Sequence, residues 1–554
     1  MEAGFSNISV CKYLFDRLKK LGIKHIFGVP GDYAFPLNDA VVTDPELQWI
    51  GNCNELNATY AADGYARING YGAVCTTYGV GELCTFGGLA GAYAENVPIV
   101  HIVGMPPSTV LNSDKIVHHT LGNIDFHVYE RMISPAVAAT SFLTPKNAIS
   151  EVNRVLTAMV QSKKPVYFCI AEDYCDMTIE ETVDEIPQIQ KLKSNESSLN
   201  DVIIQIKKLI HDSKHPVLLV GNLIDRFQLK TKLSEFIEKV NLPFVSMISG
   251  KASIDESLDQ FVGFFNGRTS DPAVIQFIQE SDCFVLIGTE WSDVNTCAFT
   301  AKIPFEKAIY IHLHDVLIGN AQYNHVEFED VIEKITLFEP SEIGQKSIEF
   351  DKLKNPIEND NSDSNSPLNM KHFYNKVNQF LLPNDIVLFE AGTTIAMNCF
   401  RLPKNATCIN QPVWAAIGYT TPAAFGAAIA APDRRVVLVT GDGAFQMTAQ
   451  EICQFTRYNL KPVLFVINND GYLIERILCK DKDYKYNDIP NWRYAELMHA
   501  FGAPDDFLSV TAKTCGDLDS VLDKVTNEKV GAFIEVVVPK MDLPEYFTKF
   551  SNKI

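Results

Sequence analysis

A chain of 554 residues is too long for one hydrophobic core, and domains of roughly 100 to 200 residues predict about three. Hydrophobic residues at 46% and charged residues at 21% exclude a disordered or fibrous chain, and the net charge of −20 argues against a nucleic-acid partner, because phosphate binding needs clustered Lys and Arg. Thirteen cysteines are scattered with no C-x-x-C pair and no zinc spacing, which points to buried thiols in a reducing cytosol.

The amino-terminal stretch reads as an amphipathic helix, with Val10, Leu14, Leu18 and Leu21 on one face, followed by a strand. It has the pattern of neither a signal nor a transit peptide, so a cytoplasmic protein is expected. Through about residue 175, short apolar runs such as "HIFGV", "GAVCTTY", "PIVHIVG" and "PVYFCIA" alternate with helix-like stretches. Fully apolar strands between helices predict a parallel sheet covered on both faces. The alternation resumes between about 200 and 340, with "HPVLLVG", "PFVSMI", "CFVLIGT" and "AIYIHLH". It returns from about 385 with "DIVLFEAG", "RRVVLVTGDG", "PVLFVINNDG" and "AFIEVVV".

The expected fold class is therefore α/β, with three doubly wound parallel-sheet domains at 1–180, 195–345 and 365–554. The polar seams "EETVDEIPQIQKLKSNESS" and "KLKNPIENDNSDSNSPLN" cannot bury apolar area and read as linkers. No fixed-period repeat is visible. The uncharged run Val413 to Ala431 has the length of a membrane span, but Pro422 and two glycines make it a buried loop and helix. His312 and His314 are expected to share a strand face, with no third metal ligand evident.

The chemistry concentrates after residue 434. A strand ends in Gly-Asp-Gly, a helix with Phe445, Thr448, Ile452 and Phe455 at 3.6-type spacing follows, and a second strand delivers Asn468, Asn469 and Gly471. Such a βαβ unit brings Asp442 and Asn469, 27 residues apart, to one sheet edge, and its helix start suits a phosphate group. Asp442, Asn469 and the Gly471 carbonyl form an all-oxygen partial shell suited to Mg²⁺ shared with phosphate oxygens. An isolated Gly-Asp-Gly is also ordinary turn chemistry.

Gly-Asp-Gly, about 27 residues, then Asn-Asn is similar to the signature of thiamine-diphosphate-dependent enzymes. "GVPGD" (28–32), "NELNATYAADGYAR" (54–67), "VHHTLGN" (117–123) and "GYLIE" (471–475) resemble the 2-keto acid decarboxylase family in particular. The resemblance covers the whole chain. It implies a pyrimidine-binding first domain, a middle domain without catalytic residues, and a diphosphate-binding third domain. The cofactors implied are thiamine diphosphate and Mg²⁺, the metal held by Asp442, Asn469 and Gly471.

The resemblance assigns Glu55 to the pyrimidine nitrogen, and Ile417 to a wedge that folds the cofactor's rings together. Ala415 stands where the family usually has glycine, and would offer its carbonyl to the pyrimidine amino group. Thr393, Ala416, Gly443, Ala444, Tyr472 and Ile474 are implied as further cofactor contacts. Asp32, His118, His119 and Glu475 are implied as the groups that move protons beside the reacting carbon. An apolar pocket there is expected to raise the pKa of Asp32 or Glu475. The implied reaction is non-oxidative decarboxylation of a 2-keto acid to the aldehyde and CO₂. Ile474 and Leu478 as pocket walls suit pyruvate.

Val294 and Ile395, where some members carry aromatic residues, make larger branched-chain or aromatic acids such as indolepyruvate the alternative. The family also implies at least a homodimer, and commonly a homotetramer, with Asp32, Glu55, His118 and His119 acting on the cofactor of the partner subunit. "GNLIDRF" lacks the cysteine through which some members are activated by substrate, so hyperbolic kinetics are expected. Relatives that carboligate or oxidise usually carry flavin in the middle domain; the paired histidines and Glu475 favour aldehyde release instead.

Overall fold

The computed structural model describes residues 8–181, 187–344, 346 and 362–543, the side chain of Ile395 excepted. Part of each polar seam, residues 182–186 and 352–361, lies outside the described residues. The chain divides into two compact units, Met1–Lys191 with Pro422–Ala431, and Leu192–Thr421 with Pro432–Ile554. The first holds one sheet and the second holds two.

The sheet of the first unit comprises β1 (His25–Gly28), β2 (Gln48–Gly51), β3 (Gly72–Thr77), β4 (Ile99–Met105), β5 (Thr140–Leu143) and β6 (Val166–Ala171). All pair in parallel, in the order β2-β1-β3-β4-β6-β5. Strands β3, β4 and β6 are buried at every position, which is why they read as unbroken apolar runs. The first helix spans Val10–Lys20, its start capped by the Ser9 side chain accepting the Lys12 N–H at 3.3 Å. Its buried face, Val10, Leu14 and Leu18, joins Val152, Leu156 and Phe168 in one core, each such side chain contributing roughly 1.5–3 kcal/mol.

The second unit begins with β7 (Pro216–Val220), β8 (Phe244–Ser246), β9 (Phe261–Phe264), β10 (Cys283–Ile287), β11 (Ala308–Ile311), β12 (Asp315–Ile318) and β13 (Ala321–Asn324). Their order is β13-β12-β11-β10-β7-β8-β9. This sheet is not wholly parallel as expected: β11, β12 and β13 form an antiparallel edge. Strand β13 is largely exposed and β12 offers only the short run Val316, Leu317 and Ile318, so neither stood out as a fully apolar strand between helices. The tight turn between β11 and β12 also removes His312 and His314 from a shared strand face. The His312 N–H donates to the Asp315 carbonyl at 3.0 Å, and His314 Nδ1 lies 2.7 Å from Glu327 Oε2.

The third sheet holds β14 (Ile386–Phe389), β15 (Thr407–Ile409), β16 (Val436–Gly441), β17 (Val463–Asn468), β18 (Leu508–Ala512) and β19 (Ala532–Val537). Its order, β15-β14-β16-β17-β19-β18, repeats that of the first sheet strand for strand, a likeness of topology with no visible sequence repeat. The strand order reverses between β14 and β16, the kind of crevice where open α/β sheets bind ligands. Within this unit a buried ion pair, Lys251 Nζ to Glu256 Oε2 at 2.9 Å, joins the second and third sheets: Lys251 donates to the Phe400 carbonyl and Glu256 accepts the Leu402 N–H.

The uncharged run resolves as a loop to residue 419 and a helix over Thr420–Ala430. Among the described residues no helix is long and apolar enough to cross a membrane. The single helix predicted after Gly-Asp-Gly is interrupted: Asp442–Thr448 and Ile452–Arg457 flank a 3₁₀ turn over Ala449–Glu451. The break coincides with Thr448, whose hydroxyl donates to the Gly418 carbonyl at 2.7 Å.

Candidate active site

The crevice between β14 and β16 opens into a pocket with a cavity volume of about 90 Å³. After β14 it is lined by Glu390, Gly392 and Thr393, after β16 by Asp442, Gly443 and Ala444, and after β17 by Asn469 and Gly471 through Ile474. Asp442 is 1% exposed. Its Oδ1 accepts the Gly443 N–H at 2.8 Å and its Oδ2 accepts the Gly471 N–H at 3.0 Å. Burial pushes this carboxyl up to about 6 in spite of those N–H donors.

The Asn469 amide is the informative group. With nitrogen inward it donates to Asp442 Oδ1 at 3.3 Å and to the Gly471 carbonyl at 2.9 Å; with oxygen inward three oxygens converge. Converging oxygens repel one another unless a cation lies among them, and one carboxylate, one amide and one carbonyl are ligands a hard divalent cation takes. Gly443 is forced by its neighbour: a Cβ there would stand 2.4 Å from the Tyr472 ring.

Of the other predicted contacts, Thr393, Ile417, Ala444, Tyr472 and Ile474 line this pocket, while Ala415, Ala416 and Glu475 do not in this chain. Ile417 is 39% exposed. It sits on a turn that Gln411 braces: the Gln411 carbonyl accepts the Ala415 N–H at 3.0 Å and its Oε1 accepts the Ala416 N–H at 3.1 Å. Ala415 has φ +53°, the left-handed conformation that glycine adopts without strain. Glu475 is exposed. Leu478, the last residue of the helix Leu473–Leu478, is exposed too, and Ile477 takes the wall position expected of it.

The sequence reading missed Glu390, buried at 1% exposure against the pocket. It accepts the Thr420 hydroxyl at 2.6 Å and the Ala391 N–H at 2.9 Å, and burial raises its pKa. It directly follows the apolar strand β14, a position that by itself does not distinguish a pocket acid from an exposed one.

The first unit supplies a second cluster. Asp32 opens a 3₁₀ turn after β1, and the loop 112–127 brings both histidines to it. His118 Nε2 lies 2.7 Å from Asp32 Oδ2, and His119 Nε2 lies 3.9 Å from Oδ1. The His118 ring stacks on Tyr33 at 4.7 Å, while the two imidazoles meet edge to face at 4.5 Å. This corrects the expected upward shift of Asp32. Burial alone would raise its carboxyl, but hydrogen bonds from His118 and the Tyr33 N–H, with both imidazoles nearby, hold it below its ordinary value. His119 is held below the ordinary imidazole value by burial and by His118.

Glu55 begins the helix Glu55–Asn69, which Asn54 caps by accepting the Asn57 N–H at 2.8 Å. Burial raises its pKa although it sits at a helix start. Its carboxylate lies beside Gly81, near the start of the helix Val80–Ala94. At that same start Gly79, with φ +67°, lies against the His119 backbone; a Cβ there would stand 2.1 Å from the His119 carbonyl oxygen. Buried Glu82 holds this turn by accepting the Gly79 N–H at 2.7 Å and the Tyr167 hydroxyl at 2.6 Å, and burial pushes its carboxyl up to about 7. A further grouping of His127, Glu130 and Cys169 is accounted for by the His127–Glu130 ion pair at 3.2 Å, with a buried thiol whose pKa is raised.

Three family models match the chain, each described as part of the thiamine pyrophosphate enzymes: the N-terminal TPP binding domain over residues 8–128, the central domain over 203–333 and the C-terminal TPP binding domain over 391–536. Pyruvate decarboxylase of Kluyveromyces lactis is 36% identical over 98% of both chains, and pyruvate decarboxylase of Candida glabrata is 37% identical over 97% of both. The alpha-keto-acid decarboxylase of Mycobacterium leprae is 36% identical over 98% of this chain and 95% of its own.

Proposed function

Because this chain belongs to the thiamine pyrophosphate enzymes, in their 2-keto acid decarboxylase branch, we propose that it cleaves pyruvate without oxidation to acetaldehyde and CO₂, using thiamine diphosphate and Mg²⁺. The observation that carries the reading is the meeting of the Asp442 carboxylate, the Asn469 amide and the Gly471 carbonyl in the lining of the third sheet's pocket. Those three residues would hold Mg²⁺, while Thr393, Gly443, Ala444 and Tyr472 would contact the cofactor. Bound thiamine diphosphate would supply the electron sink that lets the carboxyl group of the substrate leave as CO₂.

The chain's own groups handle the protons. Glu55, half-buried with a raised pKa, is suited to share a proton with a ring nitrogen at neutral pH. Asp32 stays ionised and fixes His118 through its Nε2, leaving His119 as a neutral imidazole that accepts or passes on a proton. Glu475 is assigned the role of acid for the departing product. Ile417 supplies bulk against the cofactor's rings, and Ala415 and Ala416 supply backbone contacts on the same turn.

We assign the working form to at least a homodimer, and by family likeness a homotetramer. Asp32, Glu55, His118 and His119 of one protomer would act on the cofactor bound at Asp442, Asn469, Gly471 and Glu475 of its partner. Exposed apolar side chains near both half-sites support association: Phe35, Val80, Ile116 and Leu121 in the first unit, and Trp414, Ile417 and Met447 in the second. The three sheets support domains at 1–180, 195–345 and 365–554. All thirteen cysteines are free thiols, which supports a reducing, cytoplasmic setting.

Leu473, Ile474 and Ile477 make a wall suited to a methyl group. Val294, a small side chain packed on the same core cluster as Ile474, favours branched-chain or aromatic acids such as indolepyruvate as the alternative. Aldehyde release from pyruvate, branched-chain, phenylpyruvate and indolepyruvate substrates, with Mg²⁺ and thiamine diphosphate added, decides between them. The highest kcat/KM is expected for pyruvate; a higher value for a larger acid selects the alternative, and no CO₂ from any substrate overturns the reading.

A further inference from the structure

Arg476 follows Glu475 directly, yet it is 3% exposed. Taking a guanidinium out of water costs several kcal/mol unless its donors are matched by acceptors, so a buried arginine marks a place where acceptors had to be gathered. Here its Nη2 donates to the Asp470 carbonyl at 2.8 Å, to the Asn487 carbonyl at 3.0 Å and to Asp488 Oδ1 at 2.8 Å, while Nη1 donates to the Lys482 carbonyl at 3.1 Å. Two of these contacts bear on the peptide planes either side of Gly471.

A peptide is planar, so holding one of its polar groups sets the direction of the other. In the plane joining Asp470 to Gly471, the carbonyl is held by Arg476 and the N–H donates to Asp442 Oδ2. In the plane joining Gly471 to Tyr472, the N–H donates at 3.0 Å to the Asn487 carbonyl, the oxygen that Arg476 also holds. The Gly471 carbonyl is thereby turned away from Asn487 and toward the Asn469 amide, 2.9 Å away. Gly471 itself has φ +125°, and a Cβ there would stand 2.2 Å from the Asn487 carbonyl and 2.8 Å from Arg476 Nη2, so the arrangement leaves no room for another residue.

We infer that Arg476 is a positioning residue: a latch that joins the 470–472 turn to the 482–488 segment and aims the Gly471 carbonyl at the cation. The inference rests on the proposed cation site. Lysine cannot replace it, because one ammonium lacks the planar fork that spans several carbonyls. Asp488 is peripheral to the latch, being 46% exposed and shared with Lys540 at 2.9 Å.

The test is Mn²⁺ binding, as a spectroscopic replacement for Mg²⁺, to full-length protein with thiamine diphosphate present, read from the loss of the free-ion paramagnetic resonance signal. Arg476→Lys and Arg476→Met should each weaken Mn²⁺ binding roughly 10- to 100-fold, the usual effect of losing a partner that orients a metal ligand, while Asp488→Asn stays within about threefold of wild type. Circular dichroism checks folding of each variant. The inference is overturned if the arginine variants bind within threefold of wild type, if Asp488→Asn loses as much as they do, or if neither arginine variant folds. Wild-type protein that binds no Mn²⁺ would instead sink the cation site itself.

Discussion

His118 Nε2 and Asp32 Oδ2 lie 2.7 Å apart, joining residues 86 positions apart in sequence, with His119 at 3.9 Å from the other carboxylate oxygen. The pair converts an exposed acid at the end of β1 into an ionised anchor for an imidazole. Because the folded pKa of Asp32 lies below its ordinary 3.8, its contribution to stability is present above that value and lost as pH falls through the lower folded value. The pair is about half exposed, so its effect on stability at pH 7 is small.

The consequence for activity is larger. His119 is neutral at pH 7, because its pKa lies below the ordinary 6.5. We predict that kcat/KM declines on the acid side of pH 6.5. Asp32→Asn should lower kcat/KM by about 10²- to 10⁴-fold and move the acid limb to still lower pH, since Asp32 raises the His119 pKa. Melting temperature at pH 7 should hardly change. Steady-state rates between pH 4.5 and 8 check this; an acid limb that stays in place in the variant contradicts it.

Glu82 makes the opposite prediction for stability. Its folded pKa of about 7 lies above the ordinary 4.5, so the folded state binds the extra proton and stability falls as pH rises from about 4.5 to 7. Glutamine satisfies both partners, the Gly79 N–H and the Tyr167 oxygen, without a charge to bury. Glu82→Gln should flatten that decline and raise stability at pH 8, by up to about 3 kcal/mol. Calorimetric melting across pH 5 to 8 is the check, and a variant that melts lower at pH 8 refutes the assignment.

Ala415 adopts φ +53°, where a Cβ is crowded by the following carbonyl at a cost of about 1–2 kcal/mol. Part of that cost is offset because alanine has fewer unfolded conformations than glycine. Ala415→Gly should therefore leave stability equal or higher by up to about 1 kcal/mol, with kcat/KM within about threefold of wild type. A fall of more than a few degrees in melting temperature contradicts the backbone argument.

The parts of the fold legible in sequence were those whose environment is uniform. Strands β3, β4, β6, β16 and β17 are covered on both faces and read as continuous apolar runs. The antiparallel edge β12–β13 escaped because β12 is short and β13 is exposed, and its hairpin displaced His312 and His314 from the strand expected for them. Asp442, Asn469 and Gly471 were legible because one βαβ unit fixes their spacing. Glu390 and Arg476 were not, since an acid after a strand and an arginine in a short helix acquire meaning only once their hydrogen-bond partners are known. The direction of the Asp32 shift was misjudged for the same reason: burial does act on it as anticipated, but the hydrogen bonds from His118 and the Tyr33 N–H, with both imidazoles nearby, together outweigh it.

In the proposed working form, the acid–base cluster of one protomer serves the cofactor held by another. Glu55→Gln and Asp442→Ala proteins, each inactive alone, should be unfolded or dissociated together, reassembled in equal amounts and assayed for aldehyde formation. A shared site predicts that mixed dimers regain one intact site of two, giving about a quarter of wild-type activity after random exchange. No recovery despite demonstrated subunit exchange would mean that each chain completes its own site, and would contradict the claim.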